Sequence, residues 1–132
     1  MGMFNGKKGP KPELAYAAVK TSNIASLKEL LSKGCDPTAH HDEMTGDTAL
    51  HLASNKGRLD MVQLMIEHGA KLDVQNKLGQ TALHCAAGYG TVPLVKLLLD
   101  KGADKTVTDG EGQTPGALAK AYGQEDTAAM LG

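Results

Sequence analysis

A 33-residue period constrains this chain more than any other feature. Residues 48–80 read TALHLASNKGRLDMVQLMIEHGAKLDVQNKLGQ and residues 81–113 read TALHCAAGYGTVPLVKLLLDKGADKTVTDGEGQ, identical in register at 13 of 33 positions. A third start falls at Thr114, and glycines recur with it: Gly46, Gly79 and Gly112; Gly57, Gly90 and Gly123; Gly69 and Gly102. Upstream, Gly34 to Gly69 is 35 residues, which implies a two-residue insertion between Gly34 and Thr48, around His40 and His41. The period divides residues 13–132 into units of about 13–44, 45–77, 78–110 and 111–132, three repeats and a short C-terminal capping unit. Residues 1–12, with Lys7, Lys8 and Lys11, read as a flexible basic leader.

Each unit resolves into two helices. Thr48 and Thr81 can cap the first helix through their hydroxyls, and Gly57 and Gly90 supply the positive φ that ends it. A second helix from about Leu59 to His68 carries Leu59, Val62, Leu64, Met65 and Ile66 as a broad apolar face, closed by Gly69, as Gly102 closes the next. Residues 70–80 are polar and read as a β-turn or hairpin finger. A helix pair this short cannot bury its own apolar side, so successive units must stack into an all-α solenoid. Leu and Ala supply 17 residues each against one Phe, three Tyr and no Trp, so the core is expected to be aliphatic.

At these residues the sequence resembles the ankyrin-repeat family, whose T-P-L-H-x-A motif is matched by Thr48-Ala-Leu-His-Leu-Ala53 and Thr81-Ala-Leu-His-Cys-Ala86. The segments beginning at Gly69 and Gly102 are similar to the family's G-A-D-V-N stretch. In size, and across residues 97–108, the chain also resembles a small free-standing member. The departures lie at the ends: Glu13 and Ala15 replace Thr and Leu in the first unit, and Gly116 and Ala117 replace Leu and His in the last. They fit capping units. The resemblance implies a non-enzymatic module that binds another protein.

Composition excludes several alternatives. The net charge is −1, Arg58 is the sole arginine, and the lysines lack neighbouring aromatics for base stacking, so nucleic acid is not an expected partner. No apolar run approaches a membrane span, and residues 1–12 carry no apolar h-region, so a secretory leader is not expected. Cys35 and Cys85 lie fifty residues apart, which suits reduced thiols. The expectation is a cytosolic or nuclear monomer without cofactors.

Each pattern that suggests catalysis or a metal also has a structural explanation. His84 adjoins Cys85, but neighbours on a helix diverge by about 100°, whereas Thr48 with His51 and Thr81 with His84 share a face. Both histidines therefore read as tethers between cap and finger, which the resemblance also implies, and Cys85 as a small core hydrophobe in the slot of Leu52. Met61, Met65 and Met130 read as packing. Cys35, His40, His41, Asp42, Glu43 and His51 concentrate near the first finger without metal-ligand spacing. A solvated loop is expected there, with a metal protein or hydrolase using His40, His41 and Asp42 as the remote alternative. Asp109-Gly-Glu-Gly-Gln-Thr114 has no lysine to serve a phosphate.

The concave surface formed by finger tips and inner helices is the expected binding face. Its candidates are Met44, Asp47, Asn55, Lys56, Lys77, Leu78, Gln80, Tyr89, Glu111 and Gln113, with Gly110 as a further contributor. Leu78 and Tyr89 stand out, because the repeat places Glu111 and Lys56 in their slots. A scaffold or accessory domain of a larger protein is the alternative role.

Overall fold

Thr48, Thr81 and Thr114 each precede a helix and accept the backbone N–H three residues on, at 3.2, 3.3 and 3.2 Å. Helix starts thus fall where the threonine period puts them. A computed structural model describes residues 10–39 and 42–132. Its helices are α1 (Pro12–Lys20), α2 (Ile24–Ser32), α3 (Ala49–Asn55), α4 (Leu59–Glu67), α5 (Ala82–Tyr89), α6 (Val92–Asp100), α7 (Pro115–Ala121) and α8 (Glu125–Leu131). Among the described residues there is no β-strand.

The odd-numbered helices pack side by side as an inner layer, the even-numbered ones as an outer layer, and each pair packs within its own unit. This is the expected solenoid. Leu27, Leu31, Leu50, Met61, Met65, Leu83, Leu94 and Leu98 are buried where the layers meet, without an aromatic among them. Burial of each contributes about 1.5–3 kcal/mol. Met130 packs partly buried against the same core.

Small residues set the distance between inner helices. Ala15, Ala49, Ala53, Ala82, Ala86 and Ala119 are buried along that layer. Gly116 extends the series, since a Cβ there would lie 3.2 Å from the Cβ of Leu131. The departure at the last unit therefore lets α8 close directly onto α7. Of the expected leader, residues 1–9 lie outside the described residues, and Pro12 is not leader but the first residue of α1. Proline fits a first helical turn because its missing N–H has no partner to lose there.

The insertion divides differently from the sequence expectation. In the second and third fingers Gly79 N–H donates to Asn76 O and Gly112 N–H to Asp109 O, closing turns over three residues. In the first, Gly46 N–H donates to Asp42 O, over four. One inserted residue thus lies inside the turn instead of beside His40 and His41, and it pushes Met44 out to 88% exposure. The other falls between Gly34 and Asp42, because that stretch is one residue longer than Gly69 to Asn76.

Two serines occupy slots that suit them poorly. Ser22 has φ +57° at the position held by Gly57, Gly90 and Gly123, which costs a side-chain-bearing residue about 1 kcal/mol. Ser54 is fully buried, its hydroxyl has no partner, and the next unit has Ala87 there. We expect Ser22→Gly and Ser54→Ala each to raise stability by about 1 kcal/mol, additively, in urea titrations. A loss from either replacement would refute its account.

Candidate partner-binding face

Two histidine clamps support the finger side of the face. In each, the Thr hydroxyl accepts from the His backbone N–H, and His Nδ1 accepts from the Thr backbone N–H at 3.1 Å. An amide N–H can only donate and a carbonyl only accept, so Nε2 carries the ring hydrogen. From there His51 reaches Gln80 O at 2.8 Å and His84 reaches Gln113 O at 2.9 Å. Both histidines are buried, and each anchors the finger that follows its helix. The expected tether is the observed one.

The first unit uses a different residue for a related task. Tyr16 lies 35 residues before His51, in the histidine slot once the insertion is counted, and its hydroxyl donates to Asp42 Oδ2 at 3.3 Å. Asp42 also accepts the backbone N–H groups of Thr45 and Met44, and these bonds hold its carboxyl below the usual carboxylate range. Asn76 and Asp109 organise the later fingers in the same way, each accepting two backbone N–H groups at 2.9 Å.

Successive fingers are joined through their backbones. Lys77 N–H donates to Thr45 O and Gly110 N–H to Leu78 O, both at 2.8 Å. Asn76 Nδ2 donates to Asp47 Oδ1 at 2.8 Å, and Lys77 Nζ donates to Glu43 O. Asp47 and Lys77 are therefore engaged in holding fingers together. Met44, Leu78 and Glu111 remain exposed along the tips.

A cleft runs along the inner helices from the clamp residues to the C-terminal ends of the helices. It encloses about 250 Å³ and is lined by Asn55 of α3, Gln80, His84, Cys85, Gly88 and Tyr89 around α5, and Leu118 and Tyr122 around α7. The two rings are exposed at 56% and 64%. Each rests on a glycine of the preceding unit: a Cβ at Gly57 would lie 2.6 Å from the Tyr89 ring, and one at Gly88 3.4 Å from the Tyr122 ring. Lys56 caps α3 in the same repeat slot, and its ammonium donates to Lys20 O at 3.5 Å.

The ten candidates thus divide. Asn55, Gln80 and Tyr89 line the cleft with Lys56 beside it, whereas Met44, Leu78, Glu111 and the bases Asp47 and Gln113 belong to the finger row. Leu78 and Tyr89 do not meet, since α5 stands between them and its eight residues span about 12 Å. Tyr122 was absent from the sequence candidates, although it lies 33 residues after Tyr89. That spacing was the available signal.

Nothing in this cleft is poised for nucleophilic chemistry. Cys85 is buried, and burial pushes its thiol up to about 12, so almost none is thiolate at neutral pH. It is one of the buried hydrophobic residues, as expected for a small apolar side chain, and it also lines the cleft. His40 and His41 lie outside the described residues, and among the described ones no three His, Cys, Asp or Glu side chains gather to hold a metal. No described helix is long and apolar enough to cross a membrane.

Comparison with known proteins agrees with this architecture. A family model described as ankyrin repeats (3 copies) matches residues 14–109 and 69–131. The mouse 2-5A-dependent ribonuclease is 42% identical over 53 residues, 40% of this chain and 7% of that protein. Human ankyrin repeat domain-containing protein 39 is 35% identical over 60 residues, 46% of this chain and 32% of its own length. Human ankyrin repeat and KH domain-containing protein 1 is 44% identical over 48 residues, 36% and 2% respectively. The chain therefore spans less than a third of each of these relatives, and with a repeat model covering nearly all of its described length it belongs to the ankyrin-repeat family.

Proposed function

We propose that this chain is a non-enzymatic module that binds a partner protein on its concave face, with the Tyr89–Tyr122 cleft and the finger tips as the contact surface. The observation that carries this reading is the pair of exposed tyrosine rings, each seated on a glycine of the neighbouring unit. Rings fixed in this way lose little freedom on binding, which is the economy that makes aromatic anchors effective. We further read residues 97–108 as similar to the corresponding stretch of myotrophin, a small ankyrin protein. On that likeness we read the module as a monomer, and two free, buried cysteines favour the cytosol or nucleus.

Catalysis has no support in the donor set of the cleft. The ribonuclease among the relatives shares only 7% of its length with this chain. A second reading, a module that positions another domain within a longer protein, is favoured by the same short coverage. For the binding role, a protein ligand selected against the wild type should lose about 2 kcal/mol of affinity, roughly thirtyfold, on Tyr89→Ala, and a comparable amount on Leu78→Ala if it reaches the fingers. Titration calorimetry reads the change. Unaltered affinity in both variants, each with an unchanged melt, moves the interface elsewhere.

A further inference from the structure

Lys56, Tyr89 and Tyr122 occupy one repeat slot in three successive units, at the C-terminal ends of α3, α5 and α7. They form a row across the inner layer. Neighbouring helices pack about 8–10 Å apart, so the row repeats at about that interval. A ligand running along it must present side chains on one side at a matching distance.

Few backbones do so. A strand returns to the same face every second residue, at about 6.7 Å, and its third residue points away. An α-helix returns every turn at about 5.4 Å, and most nearly to the same face every seventh residue at about 10.5 Å, beyond the interval of the row. Polyproline II has three residues per turn and a rise of about 3.1 Å, which puts every third side chain on one side at about 9.3 Å. Of these it alone fits the row one residue per unit.

The chemistry of the cleft agrees with that geometry. A proline-rich segment has unpaired carbonyls and few N–H groups, and it packs on aromatic rings. Here two preset rings flank the glycine at 88, and the side-chain amides of Asn55 and Gln80 line the same space. Charge distinguishes the ends of the row. Lys56 reaches the Lys20 carbonyl at the end of α1, so its ammonium puts a positive charge on the first-unit side of the row.

We propose that this row docks a proline-rich segment of a partner protein in the polyproline II conformation, with apolar residues three apart on Tyr89 and Tyr122 and an acidic residue beside Lys56. It rests on the concave face being the binding surface. An aliphatic side chain enters between the rings, its neighbouring carbonyls turn toward the amides, and the acidic group sets the direction of the chain along the solenoid.

Fluorescence anisotropy with labelled nonapeptides tests it on the whole chain. The probe DPPLPPLPP carries its acidic and two apolar residues three apart, whereas DPLPLPPPP has the same composition with the leucines two apart. The first is expected to bind, and the second about tenfold more weakly. Tyr122→Ala should weaken the first about tenfold with Lys96→Ala, on the exposed side of α6, leaving it unchanged. Lys56→Glu should reverse the preference between DPPLPPLPP and KPPLPPLPP, a readout that survives if Tyr122→Ala melts early.

Equal affinity for the two leucine spacings overturns the proposal, as does no saturable binding of the first peptide or no reversal with Lys56→Glu. A ligand drawn from an unbiased displayed-peptide library separates this from failure of the face itself. If it lacks proline and still depends on Tyr89, the conformation is wrong and the face stands. If it is indifferent to both Tyr89 and Leu78, the face is wrong as well.

Discussion

His84→Ala is expected to lower stability by about 3–5 kcal/mol, the largest effect of any replacement considered. The imidazole is fully buried and joins three groups: the Thr81 backbone N–H, the Thr81 hydroxyl and the carbonyl of Gln113. Alanine leaves the Thr81 N–H and the Gln113 carbonyl without their ring partner, each at about 1–3 kcal/mol, and adds a cavity. Because Gln113 lies 29 residues away, the loss also frees the finger ahead of α7. Urea unfolding should show the drop, and hydrogen exchange should rise most around residues 109–113. A loss below about 1 kcal/mol would mean that the clamp does not couple the units.

Gly79→Ala is expected to cost about 3 kcal/mol, and the comparison with Gly102→Ala shows why. Both glycines have positive φ, +79° and +99°. Left-handed backbone alone costs a residue with a Cβ about 1–2 kcal/mol. At Gly102 nothing lies within 4 Å of the added carbon, so that strain is the whole effect. At Gly79 the carbon would sit 2.7 Å from Gly110 N and 3.0 Å from Asp109 C, backbone atoms held in place by the bond from Gly110 to Leu78 O. Relief requires the fingers to part, which adds about 1–2 kcal/mol. Equal losses at the two sites would show that the contact between fingers carries no energy.

Much of the fold was legible because the period reports what every unit must do alike. Thr81, His84, Gly90 and Gly102 recur since each unit has to start a helix, anchor a finger and turn twice. Where a unit meets the requirement by other means, the period is silent. Tyr16 reaches its finger through a phenol instead of an imidazole, and Ser22 takes the left-handed turn without being glycine. Neither looks like its counterpart, so neither could be matched by residue type. The insertion was counted correctly from Gly34 to Gly69, but counting locates a gap only to within a segment, and the turn over Asp42–Gly46 places one residue inside the finger.

The candidate face was legible less completely. Tyr89 and Leu78 stood out because apolar groups occupied slots that are polar elsewhere, yet Leu78 lies on a finger before the start of α5 and Tyr89 at the end of that helix. Lys77 reads as a contact residue of the binding face, but its ammonium is bonded to the neighbouring finger. Sequence spacing gives the face on which a residue lies, not whether its side chain is already taken.

By itself, the sequence determined the two-layer helical stack, the clamps and the turns, because each is a local requirement repeated at a constant interval. Only the tertiary structure decided that Tyr122 joins Tyr89, that each ring lies over a glycine of the unit before it, and that the fingers share a backbone hydrogen-bond chain. Those are contacts between units, and their distances depend on how closely small residues such as Ala86 and Gly88 let the inner helices approach.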